Sequence, residues 1–202
     1  MKFTKKIMTI ATCAVMAASS MIGINASAAT KTLAVPFFEQ ETNYYCSAAT
    51  FQQVYAYYKG VNNVISQSTV ASLFKLNEYG ELNNLNTLTD WLNRYFYQDL
   101  EYGWQWRGGA YTNSTELYEK LKACIDSDVP PILHIYPNTV YWDYRTSSGH
   151  YLNASGYTSN SNGTSIQVTD PYLDGHGIAS GKYYNSISDL YQVCDRIAVD
   201  IS

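Results

Sequence analysis

Four residues have the types and spacing for acyl-transfer chemistry: Gln40, Cys46, His150 and Asp170. A cysteine thiolate attacks carbonyl carbon, an imidazole takes and returns the proton, and a carboxylate holds that imidazole in one tautomer. Gln40 precedes Cys46 by six residues, and its side-chain amide can donate to the oxyanion that such an attack creates. The expected roles are Cys46 as nucleophile, His150 as general base and then acid, and Asp170 as the orienting group. Gln40 and the backbone N–H of Cys46 would form the oxyanion hole, and the intermediate would be a thioester.

These groups need elements to hold them. After the turn-rich Glu41, Thr42 and Asn43, apolar residues recur at helical spacing through Ala48, Ala49, Phe51, Val54, Tyr55 and Tyr58, which predicts a helix from about Cys46 to Lys59. Cys46 then sits at a helix N-terminus, where unpaired N–H groups and the helix dipole favour a thiolate. Pro36 makes Val35 to Phe38 an extended lead-in that delivers Gln40 to the helix start. Further helices are predicted over Ser66 to Phe74, with Ser66 or Ser68 as cap, and over Asn86 to Tyr95. A fourth follows a capping box of Asn113 and Glu116.

From Pro131 the period changes to that of strands. Ile132 to Tyr136, Gly149 to Tyr157 and Thr164 to Asp170 read as strands, the last two joined by a polar turn centred near residue 161. Counting from that centre brings His150 and Asp170 together at the open end of the hairpin. The strand period of two sets both on the face of Leu152, Ala154, Ile166 and Val168, taken as the core side, with Tyr151, Asn153, Gln167 and Thr169 pointing away. Tyr183-Tyr184 adds a strand, Ile187 to Val193 a short helix, and Ile197, Val199 and Ile201 a closing strand. Helices first and an antiparallel sheet after them make an α+β fold.

The bulk properties bound the setting. Lys2, Lys5 and Lys6, an apolar run from Ile7 to Ile22 and Ala26-Ser27-Ala28 read as a secretory signal, cleaved near Ala28. Removing the first 28 of 202 residues leaves 174, one domain spanning residues 29–202, and takes the formal charge from −4 to −7. That charge argues against nucleic acid as a partner, and no apolar stretch after the signal is long enough to predict membrane insertion. The product is expected to be extracellular and monomeric. Three cysteines remain, an odd number for an exported chain, so one should be free or reactive. Cys124 and Cys194 read as buried core thiols, with a disulfide between them open.

The ordered set Val35-Pro36 with Gln40, Tyr45-Cys46 with Ala48-Ala49, Ser66-Gln67, Gly149-His150-Tyr151 and Asp170-Pro171-Tyr172 resembles the papain-fold cysteine peptidases of the bacteriocin-processing type, the C-thirty-nine-like family. The resemblance covers roughly residues 35 to 175. It implies a papain-like fold, thiol peptidase activity and a catalytic Cys, His, Asp and preceding Gln at Cys46, His150, Asp170 and Gln40. The double-glycine leaders cut by transporter-fused members do not transfer to an exported chain without transporter segments.

A peptide or protein substrate follows. Cell-wall peptide amidase or acyltransferase chemistry with the same triad is the alternative, and an inactive papain-fold binding module is a third reading. No cofactor is expected, and three scattered histidines without clustered cysteines give no zinc pattern. His134 reads as a core or cleft-wall residue and His176 as a solvated turn residue. Trp104, Trp106, Trp142 and Tyr144 are candidates to line a peptide or glycan groove.

Overall fold

A computed structural model describes residues 28–80, 82, 85–100, 105–146, 148–173 and 181–197. Residues 1–27 of the expected signal, Trp104, His176 with its expected turn, and Val199 and Ile201 of the expected closing strand lie outside those residues. The chain runs through β1 (Ala29–Thr32), α1 (Cys46–Lys59), α2 (Gln67–Phe74), α3 (Leu85–Phe96), α4 (Ser114–Asp126), β2 (Ile132–Ile135), β3 (His150–Asn160), β4 (Gly163–Thr169), β5 (Lys182–Ser186), α5 (Ile187–Val193) and β6 (Cys194–Ile197). The α+β expectation holds, and the strand β1 is an addition to it.

The helix boundaries follow from local chemistry. The α1 helix stops where Gly60 takes a positive φ of 83° while its N–H donates to the carbonyl of Ala56. Ser66 caps α2 by accepting from the Thr69 N–H. Asn113 caps α4 by accepting from the Glu116 N–H. The Glu116 carboxylate closes the box one residue early, accepting from the backbone and hydroxyl of Thr112 at 2.7 and 2.8 Å.

The strands form an antiparallel sheet in the order β5-β4-β3-β2-β6, with β1 also paired to β3. Ser161 and Asn162 make the β3–β4 turn, since Asn160 pairs with Gly163. A bulge between Ala154 and Gly156 shifts the register, so Asn153 faces Thr169 at the open end.

Two cores lie against this sheet. On one side, Leu117, Leu121 and Ile125 of α4 and Leu190 of α5 pack on Leu133, Ile135, Leu152, Ile166 and Val168. On the other, α1, α2 and α3 bring Phe51, Val54, Val70, Phe74, Leu88, Leu92 and Phe96 together with Ile132 and Tyr151. The face of Tyr151, Asn153 and Thr169 is therefore not a solvent face. It lies under α1, where Asn153 Nδ2 donates to Gln53 Oε1 at 2.7 Å and Thr50 donates to the Tyr151 carbonyl at 3.0 Å. Buried polar groups bonded to one another produced the alternation that reads as a wet face.

The groove expectation fails for the described aromatics: Trp106 is 1%, Trp142 4% and Tyr144 6% exposed, so all three are interior. Asn93 fastens the strand-like segment at Trp106 to α3 through two backbone hydrogen bonds of 2.7 Å. Cys124 and Cys194 are buried in different cores and no disulfide joins them.

Phe51 sits where three helices meet, with ring centroids 5.2 Å from Phe74, 5.9 Å from Tyr95 and 5.8 Å from Phe96. Phe51→Ala leaves a large cavity and should lower the unfolding free energy by about 3–5 kcal/mol. Urea denaturation checks this, and a loss below about 1 kcal/mol would show that the helical layer closes over the space.

Candidate active site

The site lies where the N-terminus of α1 meets the start of β3 and the end of β4. Cys46 is the first residue of α1, and its N-cap, Tyr45, makes no side-chain capping bond. The backbone donors there are left for other partners. The loop before it is held by amides rather than by packing alone. Gln53 donates to the Phe38 carbonyl at 3.0 Å, Gln67 donates to the Glu39 carbonyl at 2.7 Å, and Gln67 accepts from the Glu41 N–H at 2.8 Å. The Gln40 N–H donates to the Pro171 carbonyl at 2.9 Å, tying this loop to the residue after Asp170. Gln40 thus bridges the helical and sheet halves.

The structure brings all four candidate residues to this junction. Gln40, Cys46 and His150 line one cleft of ≈ 510 Å³, and Asp170 lies directly behind the imidazole. His150 Nε2 is 2.8 Å from Asp170 Oδ1. That uses one ring nitrogen, and the Cys46 thiol lines the same cleft close enough to the ring to shift its titration. One hydrogen of the Gln40 side-chain amide is spent on the Thr42 carbonyl at 3.0 Å, which leaves the second for an incoming oxygen.

Asp170 is 0% exposed. An isolated carboxylate there would be costly, so its partners matter. Oδ1 accepts from the Tyr172 N–H at 2.9 Å and faces His150, while Oδ2 accepts from Tyr144 at 2.8 Å and Tyr183 at 2.5 Å. Burial alone would raise its pKa, but the imidazole's charge and these donors outweigh it and lower the pKa. Burial likewise opposes protonation of His150, yet Asp170 on one side and Cys46 on the other push its pKa up to about 10. Burial would raise the Cys46 thiol too. The His150 hydrogen bond and charge, with backbone hydrogen bonds at Tyr151 and Ser47, bring it below the ordinary thiol value. Both shifts favour a thiolate beside an imidazolium, backed by a carboxylate.

Two glycines are required by close approach. A Cβ on Gly149 would lie 2.0 Å from His134 Nε2, and His134 is fixed by a 2.5 Å contact between Nδ1 and Asp195 Oδ1. Gly181 has φ +58°, and a Cβ there would lie 2.1 Å from the Phe37 ring and 2.7 Å from the Asp170 carbonyl. The carbonyl of Gly181 accepts from the Asp170 N–H at 2.7 Å, which fixes the height of the carboxylate.

Sequence reasoning missed the two tyrosines on Asp170 and the role of Gln53 and Gln67. Tyr183 is readable in hindsight, because β5 pairs Val168 with Tyr183, two residues before Asp170. Tyr144 comes from an irregular segment, where no periodicity points to it. His134 stands on the cleft wall as expected. Among the described residues, no group of His, Cys, Asp and Glu is arranged to hold a metal ion.

Comparison with known proteins decides the family. The model of the Peptidase_C39 like family matches residues 32–193. The chain belongs to that family. It is a cysteine-type peptidase with a papain-like fold, helices N-terminal and the sheet C-terminal. Among solved structures, it is similar to a double glycine motif protease from an AMS/PCAT transporter in complex with the leader peptide. That likeness has 15% identity and a TM-score of 0.52 over 85% of this chain and 95% of the other. At that identity it speaks for the fold. Comparison with curated proteins returned no match.

The opposite shifts of Cys46 and His150 give a pH signature for this peptidase. Cys46 should be alkylated by iodoacetamide at neutral pH, where an ordinary thiol of pKa about 8.5 is mostly protonated. The rate should fall only as pH drops through the lowered thiol pKa. Burial keeps Cys124 and Cys194 out of the reaction, and it pushes the Cys194 thiol up to about 12. In His150→Ala the midpoint should move to alkaline pH; an unchanged profile would remove His150 from its place beside the thiol.

Proposed function

We propose that this peptidase hydrolyses peptide bonds through a Cys46-His150-Asp170 triad, with a thioester on Cys46. The carrying observation is the buried 2.8 Å contact between His150 Nε2 and Asp170 Oδ1, with the imidazole and the Cys46 thiol lining one cleft. The Cys46 thiolate attacks the substrate carbonyl carbon, and the oxygen takes up the negative charge. The Gln40 side-chain amide and the Cys46 N–H stabilise that oxyanion. Protonated His150 gives its proton to the leaving amine as the C–N bond breaks, which leaves the acyl group on sulfur. Neutral His150 then takes a proton from water, the hydroxide attacks the thioester, and the thiolate departs. Asp170 orients the ring throughout and offsets the positive charge on it.

The working form is exported and acts outside the cell, a reading supported by the lysines, apolar run and Ala26-Ser27-Ala28 of the first 28 residues. Sequencing the N-terminus of protein from the culture medium should find a chain beginning near Ala29. A product that stays inside the cell with Met1 in place would end that part of the proposal.

The activity is tested by incubating the mature protein and Cys46→Ala with a diverse peptide library and with peptidoglycan fragments, followed by mass spectrometry. Cleavage of the library should vanish in the variant. Products from the wall fragments alone would instead point to amidase or acyltransferase chemistry. On a cleaved peptide, Gln40→Ala should lower kcat about 10²–10³-fold with little change in KM, the loss typical of one oxyanion donor.

A further inference from the structure

The cleft around Cys46 is lined by arginines in a chain of net negative charge. The whole chain carries −4, yet among the described residues no Asp or Glu lines the cleft, whereas Arg145 and Arg196 do. Arg145 is exposed at the rim and is in no ion pair among the described residues. Arg196 is held in place: its Nε and one terminal nitrogen both lie 2.8 Å from Asp195 Oδ2. Two of its five donors are spent on that carboxylate, and three remain for another oxygen. Asp195 is fastened from its other side by His134 at 2.5 Å. An arginine fixed in this way loses less freedom when it binds a second carboxylate, so its donors are better placed than those of a mobile side chain.

The sheet register sets its distance from the chemistry. Arg196 pairs with His134, and His134 pairs with Tyr151, the neighbour of His150. Two strand spacings amount to about 10 Å, which an extended peptide covers in about three residues. Exposed Tyr44, Tyr79 and Tyr136 also line the cleft, giving apolar surface beside the guanidinium groups.

We propose that Arg145 and Arg196 form a carboxylate-recognition subsite, and that the preferred substrate is a peptide with a free carboxylate about two or three residues from the scissile bond. The substrate preference rests on the peptidase reading above; the anion subsite does not. Two sources supply this chemistry, an acidic segment of a protein and a wall peptide with free carboxylates.

The test uses the mature protein, Arg145→Gln, Arg196→Gln and the double variant, each checked for an unchanged melting temperature. The first readout is the ratio of Cys46 alkylation rates with iodoacetate and with iodoacetamide, which differ in one negative charge. His150 contributes equally in all four proteins, so the difference between them isolates the arginines. The ratio should fall about twofold for each arginine removed, the effect of one unit charge some 10 Å away in water, and the wild-type ratio should fall with added salt. The second readout is kcat/KM for peptides that differ by Glu against Gln at each position near the cleaved bond, with peptidoglycan fragments as a parallel arm. A preference for Glu that is lost in the double variant supports the subsite with acidic protein segments as its ligand. The same loss on the wall fragments alone supports it with wall peptides. A ratio that drops as expected while nothing is cleaved keeps the subsite and discards the peptidase reading. Cleavage without a Glu preference, together with an unchanged ratio in all variants, overturns the proposal and leaves the peptidase reading intact.

Discussion

The buried carboxylate of Asp170 is the constraint on which the rest of the site depends. Removing a carboxylate from water costs several kcal/mol unless charge and hydrogen bonds replace the lost hydration. Here the replacement is nearly complete: two phenols, one backbone N–H and an imidazole converge on its two oxygens. Each donor comes from a different piece of chain. Tyr144 precedes β3, Tyr183 lies in β5, Tyr172 follows β4 and His150 opens β3. The carboxylate therefore acts as a hub that requires four segments to be in place at once. This couples formation of the site to formation of the sheet.

The helical half answers a different requirement. A thiolate needs positive potential and unspent donors, so the start of α1 is left without a side-chain cap. That arrangement gives up a contribution of about 1 kcal/mol that a Ser, Asp or Asn cap would supply. Burial offsets it, since Ser47 to Val54 are all interior. Glutamines 53 and 67 then fix the preceding loop through its carbonyls, so Gln40 is presented by a braced backbone rather than a free one. The Gln53 side chain also accepts from Asn153 on β3, which makes one amide a direct tie between the Gln40 loop, the Cys46 helix and the His150 strand.

Much of this was legible in the residues because the site follows two short-range rules. Helical period and a terminating Gly60 locate α1, and counting from the Ser161-Asn162 turn brings His150 to Asp170. The count tolerates the bulge at Ala154 to Gly156, which shifts pairing by one residue but leaves both groups at the same open end. The missing parts are those set by long-range packing. Asn153 and Thr169 read as surface residues because their polarity is the same whether water or Gln53 and Ser155 satisfy it. The tryptophans read as groove residues because an indole fills a core or a cleft equally well. The strand β1 depends on pairing with β3 about 125 residues away, which no local pattern encodes.

Two imidazole and carboxylate pairs stand beside the same cleft, and their opposite shifts identify which is suited to be the base. His150 and His134 each contact an aspartate, at 2.8 and 2.5 Å. For His134, burial dominates and lowers its pKa: Asp195 opposes that effect, but its charge is shared with Arg196, and both Arg196 and His150 repel a proton on the ring. For His150, burial is outweighed because Asp170 is paired with no other cation among the described residues and Cys46 supplies a second negative charge. The shorter contact thus belongs to the more weakly basic ring. A neutral His134 does not compete for the thiol's proton, and its fixed ring serves instead to brace Asp195 under Arg196 and to hold Gly149 against the start of β3. The division of labour comes from where the counter-charges lie, not from contact distance.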